Sequence, residues 1–149
     1  MDLNIYAPRE QCELLLVEDN PGDIMLVEEA LNESGLKYHL NTIRNGGDVI
    51  DYLKSPDCVK PDIILLDLNL PRKNGKDVLR EIKGDDKLES IPILVLTTSE
   101  AESDIYSCYK LRANCYITKP VDFDRFMEVI KTVKEFWTSM VKLPPRNYN

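Results

Sequence analysis

The chain has 149 residues, 43% of them hydrophobic and 30% charged, with a formal net charge of −7. That length suits one compact domain burying roughly 70% of its unfolded surface, and the acidic balance argues against nucleic-acid binding, which needs a basic face. No apolar run nears the roughly 20 residues of a membrane span, and the N-terminal MDLNIYAPREQ lacks the basic and apolar regions of a signal peptide, so a cytoplasmic protein is expected.

An N-terminal extension (1–11) leads into the first apolar run, Leu14 to Val17. The first helix begins at Pro21, a favoured first-turn residue, and carries Ile24, Val27 and Leu31 on one stripe. It is expected to stop near Gly35. The second run, Tyr38 to Ile43, alternates and reads as a sheet edge. A helix over Gly47 to Lys54 turns Val49, Ile50 and Leu53 inward and ends before Pro56. The third run is Ile63 to Leu66, followed by a helix from Gly75 with Val78, Leu79 and Ile82. The fourth is Ile93 to Leu96, followed by a helix over Ala101 to Ala113 with Ile105, Cys108 and Leu111. The fifth is Cys115 to Ile117, followed by a helix from Phe123 with Phe126, Met127, Ile130 and Val133. The domain is read as 12–141, and 142–149 as a disordered tail.

Most of these runs are continuously apolar, as expected for strands covered on both faces. Alternating strand and helix with short connections implies a parallel sheet with right-handed crossovers. Five such units make a flavodoxin-like (βα)5 doubly wound domain with strand order 2-1-3-4-5, whose ligand site lies outside the carboxyl ends of the strands.

The residues at those ends carry the chemistry. Glu18 and Asp19 follow strand 1, Asp67 follows strand 3, Thr97 and Thr98 follow strand 4, and Lys119 follows strand 5. Each has a bland reading alone: acids cap helices, and single threonines and lysines are common at surfaces. Their meeting at one sheet edge is what counts. Converging carboxylates repel, and a hard cation such as Mg²⁺ compensates them with oxygen ligands. Lys119 adds a compact positive charge. An ionised aspartate held there is a nucleophile towards phosphorus, while cation and lysine neutralise the transferring group. The Thr97 hydroxyl can donate to an attached phosphate oxygen. The four cysteines form no C-x-x-C pair or zinc module, and Cys12 and Cys115 read as buried thiols. His39 is the sole histidine, which leaves no basis for a histidine-built site.

The segments LLVEDN, ILLDLNLPRKNG, PILVLTTS and CYITKP resemble, in order and spacing, the receiver domain of two-component response regulators, over about residues 12 to 137. The resemblance implies a single-domain phosphoacceptor switch that catalyses its own phosphotransfer and dephosphorylation, not an enzyme with a separate substrate. It implies Asp67 as phosphoacceptor, and Glu18, Asp19, Asp67 and the Asn69 carbonyl as ligands of Mg²⁺ or Mn²⁺. It implies Thr97 and Lys119 as phosphoryl contacts, Tyr116 as the aromatic switch, Gly75 as the glycine ending the loop after Asp67, and Pro120 as a proline following a cis bond. NCYITKP and KEFW resemble small receivers paired with phytochrome-type histidine kinases. Two positions depart from the family: the acidic pair is Glu-Asp rather than Asp-Asp, and Thr98 stands where alanine is commoner.

Rival readings fit less well. A haloacid-dehalogenase-type phosphatase needs a second aspartate where Asn69 stands, and the acidic EDNPGD loop would repel a flavin phosphate. A pseudo-receiver would lack one of the chemical residues. With no output domain expected after the fifth helix, the switch should act by contact, through the face made by helix 4, strand 5 and helix 5. Phe136, Trp137, Met140, Val141 and Leu143 exceed what one stripe can bury, which suggests a homodimer through the strand 5/helix 5 side. The alternative is that Phe136 or Trp137 closes the base of the core.

Overall fold

A computed structural model of the chain describes residues 11–33 and 37–146. The elements run β1 (Cys12–Val17), α1 (Pro21–Asn32), β2 (Tyr38–Ile43), a 3-10 turn (Gly46–Asp48) into α2 (Val49–Lys54), β3 (Ile63–Leu66) and α3 (Gly75–Lys83). Then follow β4 (Ile93–Thr97), α4 (Glu102–Lys110), β5 (Cys115–Thr118), α5 (Phe123–Glu135) and a π-helical turn (Phe136–Met140). The five strands pair in parallel in the order β2-β1-β3-β4-β5. The expected doubly wound fold is therefore the one present, with β2 at an edge.

Strand alternation divides the core between two faces. Leu15, Val17, Ile64, Leu66, Ile93 and Val95 point towards α2, α3 and α4, where they meet Val49, Leu53, Val78, Leu79, Ile82 and Cys108. Leu14, Leu16, Ile63, Leu65, Leu94 and Leu96 point the other way, onto Ile24, Val27, Leu31, Phe126, Met127 and Ile130 of α1 and α5. Each fully buried Leu or Ile contributes about 1.5–3 kcal/mol of transfer free energy, so this two-sided burial fixes where the polar strand ends must sit. The helices are not equally anchored: α3 buries Val78, Leu79 and Ile82, whereas α4 buries Cys108 alone.

Helix starts follow side-chain capping. Asn20, Asn74 and Asp122 accept from the N–H groups of Asp23, Asp77 and Arg125, satisfying donors that the first turn leaves open. α1 ends at Asn32, and the expected stop at Gly35 lies outside the described residues. α4 is shorter than the sequence suggests: Ala101 is its N-cap, and its last turn closes at Leu111 with Arg112 in the left-handed region at φ 71°. The peptide bond before Pro120 is trans, contrary to expectation. Trans is favoured by about 0.5–1 kcal/mol before proline, and Lys119 reaches its partners in that form.

The expected disordered tail, 142–149, is described only to residue 146, and that part makes defined contacts; 147–149 lie outside the described residues. Residues 142–146 have no regular structure, but Leu143 packs on the α1/α5 core. The Arg146 guanidinium donates through Nε to Asp62 Oδ1 at 3.0 Å and through an Nη atom to Asp62 Oδ2 at 2.5 Å and to the Gln11 carbonyl at 2.6 Å. The bidentate charge-assisted pair, with the Asp62 side chain 1% exposed, ties Arg146 to the body of the domain.

Candidate functional site: an acidic cluster around Lys119

The C-terminal ends of β1, β3, β4 and β5 form one edge because the strands run parallel in register. Val17 lies opposite both Ile43 and Leu66, and Thr97 lies opposite Thr118. The ladder continues one step past each end, with Glu18 N–H donating to the Ile43 carbonyl at 3.0 Å and Asp67 N–H to the Val17 carbonyl at 3.0 Å. Lys119 N–H donates to the Thr97 carbonyl at 2.7 Å. Backbone pairing thus delivers Glu18, Asp67, Thr97 and Lys119 to one place, all four buried.

The Lys119 ammonium donates to Glu18 Oε2 at 2.5 Å, Asp23 Oδ2 at 2.8 Å and Asp67 Oδ2 at 3.2 Å. Burial alone would lower its pKa, but the bonds to Asp23 and Glu18 outweigh that and hold it above its ordinary value. Burial pushes the Glu18 carboxyl up to about 7, against the lowering pull of Lys119 and of the Asn20 N–H, which donates to Oε1 at 3.1 Å. Asp19 is exposed at the rim. Glu18, Asp19 and Asp67 each offer an oxygen within 4.8 Å of the others. Three carboxyl groups around one ammonium, with Asp19 at the rim, leave an excess of negative charge. An all-oxygen donor set of this kind fits a hard divalent cation.

The remaining expected residues lie around this centre. Asn69 donates its N–H to Asp67 Oδ1 at 3.3 Å and has an exposed side chain. Gly75 closes the loop after Asp67 by donating to the Leu68 carbonyl at 2.9 Å. A Cβ on Gly75 would lie 2.3 Å from the Asp67 carbonyl oxygen and 2.6 Å from Leu68 Cα, so only glycine fits. Thr97 Oγ1 accepts from Ser99 N–H at 3.5 Å, and Thr98 is exposed beside it. The Tyr116 ring packs on the α2/α3/α4 face, and its hydroxyl donates to the Ser99 carbonyl at 2.9 Å. Sequence reasoning missed Asp23. An acid in a helix's first turn ordinarily complements the macrodipole, and only its place on the same sheet edge hinted at a partner 96 residues away.

Residues 14–131 match the response regulator receiver domain. The chain belongs to this family. The receiver is 39% identical to response regulator Rcp1 of Synechocystis sp. over 135 residues, covering 88% of this chain and 92% of Rcp1. The crystal structure of the phosphorylated cyanobacterial phytochrome response regulator RcpA matches with a TM-score of 0.87 and 43% identity, over 90% of this chain and 99% of RcpA. The Mn²⁺-bound form of Rcp1 matches with a TM-score of 0.85 and 39% identity, over 89% of this chain and 99% of Rcp1. The resemblance to phytochrome-linked receivers read in the sequence is thus borne out at the level of family and neighbours. Among the described residues, no helix of the receiver is long and apolar enough to cross a membrane.

Proposed function

We propose that this receiver is a single-domain cytoplasmic phosphorylation switch, charged on Asp67 by a histidine kinase of the phytochrome type. The observation that carries the reading is the Lys119 ammonium held between Asp67, Glu18 and Asp23, with Asp19 at the rim. Glu18, Asp19 and Asp67, with the Asn69 carbonyl, would hold Mg²⁺ or Mn²⁺. When bound, the cation supplies positive charge to the transferring phosphoryl group.

The chain's own groups do the rest. An Asp67 carboxylate oxygen forms the bond to phosphorus as the phosphorus–nitrogen bond to the kinase histidine breaks, and that nitrogen keeps the electron pair. Lys119 balances charge on the phosphoryl oxygens, and the Thr97 hydroxyl donates to one of them. Hydrolysis of the aspartyl phosphate by water resets the switch. The phosphoryl group favours the arrangement that Thr97 and Lys119 can reach, and Tyr116 carries the difference to the face of α4, β5 and α5. Incubation with acetyl phosphate should add the mass of one phosphoryl group, and only with Mg²⁺ present. Modification at several residues, or equal modification in chelator, would sink the reading.

The partners follow from the surface. A net charge of −7 favours a protein partner over nucleic acid. A second copy would dock on the β5/α5 side, where Phe136 is 49% and Met140 70% exposed. Trp137 packs partly on the core and stacks edge-to-face on Phe136 with ring centroids 6.2 Å apart, so it closes the core base while Phe136 faces out.

A further inference from the structure

α4 is the least anchored helix of the domain. Only Cys108 is buried, Tyr106 and Tyr109 are exposed, and its N-cap, Ala101, has no side chain to accept from the first-turn N–H groups. Apolar packing therefore does little to fix where its N-terminus sits. A polar chain does that instead. Asp104, in the first turn of α4, accepts through Oδ2 from the Ser99 hydroxyl at 2.5 Å and pairs through Oδ1 with Lys76 Nζ at 2.5 Å. Ser99 Oγ in turn accepts from Ala101 N–H at 3.3 Å. All the side chains involved are partly shielded from water.

Both ends of this polar network are tied to the strand ends that carry Asp67 and Thr97. Lys76 follows Gly75, whose backbone is pressed against the Asp67 carbonyl, so Lys76 is fixed relative to Asp67. A lysine in a first turn opposes the helix macrodipole, and its Asp104 partner offsets that. Ser99 holds the other end: its N–H donates to Thr97 Oγ1, and its carbonyl accepts from Tyr116. Thr97 Oγ1 accepts this bond at 3.5 Å, and its own hydrogen is free to donate elsewhere.

We propose that Asp104, clamped by Lys76, is a positioning residue that holds the Thr97–Ser99 segment where the Thr97 hydroxyl can meet a phosphoryl group on Asp67. This rests on the phosphoacceptor reading above. The Lys76 pairing, and next the Ser99 bond, hold the Asp104 carboxyl below its usual range, consistent with a carboxylate engaged on both oxygens.

The test is the affinity for beryllofluoride, a phosphoryl mimic, on the full chain in saturating Mg²⁺, with Mg²⁺ affinity measured separately. Asp104→Ala should weaken beryllofluoride binding by roughly three- to tenfold, as expected for residues coupled in one network, and leave Mg²⁺ affinity within about twofold. Asp104→Asn, which keeps an acceptor for Ser99, and Lys76→Met should each show part of the loss. In a Thr97→Ala background the Asp104→Ala effect should disappear, because the residue acts through Thr97. An undiminished effect in that background, or none in wild type, overturns the proposal while leaving Asp67 as acceptor intact. A wild-type chain that takes up no beryllofluoride overturns both readings.

Discussion

Consider Glu18→Gln with divalent cations chelated. Glu18 is 2% exposed, and burial lifts its carboxyl from 4.5 to about 7 despite Lys119. A carboxyl whose folded value lies above its unfolded one binds its proton more tightly in the folded chain. Its contribution is therefore fully present below the unfolded value near 4.5 and is lost as pH rises through about 7. At about 1.36 kcal/mol for each tenfold change in proton affinity, ionising Glu18 in place costs about 3 kcal/mol at pH 8. A glutamine of nearly the same shape carries no ionisation cost, although its single amide oxygen can accept from only one of the two donors, the Asn20 N–H and Lys119, that Glu18 meets with separate oxygens; that loss is the same at every pH. Burial lowers the Lys119 pKa, but its bonds to Asp23 and Glu18 keep it raised, so it stays protonated across this window and adds no slope. Urea unfolding, followed through the single tryptophan, Trp137, should therefore show the stability of Glu18→Gln gaining on that of wild type by about 3 kcal/mol between pH 4 and pH 8. A difference between variant and wild type that stays constant with pH would refute the reasoning.

The other expectations concern cation, backbone, switch and assembly. Asp19→Ala should weaken Mg²⁺ binding about tenfold by titration, or about 1.4 kcal/mol; unchanged affinity would remove Asp19 from the ligand set. Gly75→Ala forces its Cβ against the Asp67 carbonyl and Leu68 Cα, so it should cost about 1–3 kcal/mol in denaturant unfolding, with chemical-shift changes centred on Asp67 and Leu68. Beryllofluoride should shift the amide resonances of Tyr116 and α4 as well as the loops around Asp67; shifts confined to those loops would rule out transmission through Tyr116. Sedimentation at micromolar concentration should show a dimer weakened by Phe136→Ala, and a monomer with and without beryllofluoride would exclude self-association through that side.

The sequence made the sheet legible because its strands are buried on both faces. Runs such as IILL and ILVL admit no helical stripe of polar residues, and the alternating YHLNTI marked the edge. The site was legible for the same reason: an apolar run that ends abruptly in Asp67 or Lys119 places the polar group at the strand end. What could not be read was long-range and polar. Asp23 looked like a helix-dipole acid until the fold brought it to Lys119. Lys83 is a buried amine whose donors go to the Glu89 and Ile91 carbonyls and Asn114 Oδ1, and burial lowers its pKa, yet at the end of a helix it reads as a solvated lysine. Arg146 looked like tail because proline-rich termini seldom pack, and nothing local announced Asp62 as its partner. Helix ends were blurred where capping was backbone-made, as at α4.

Asp67 is the proposed phosphoacceptor. Wild-type chain and Asp67→Asn should be incubated side by side with labelled acetyl phosphate and Mg²⁺. Hydroxylamine, which cleaves acyl phosphates, should then be added. Label should enter wild type once, be released by hydroxylamine and be absent from Asp67→Asn. Hydroxylamine-labile label entering Asp67→Asn to the wild-type extent would contradict that assignment.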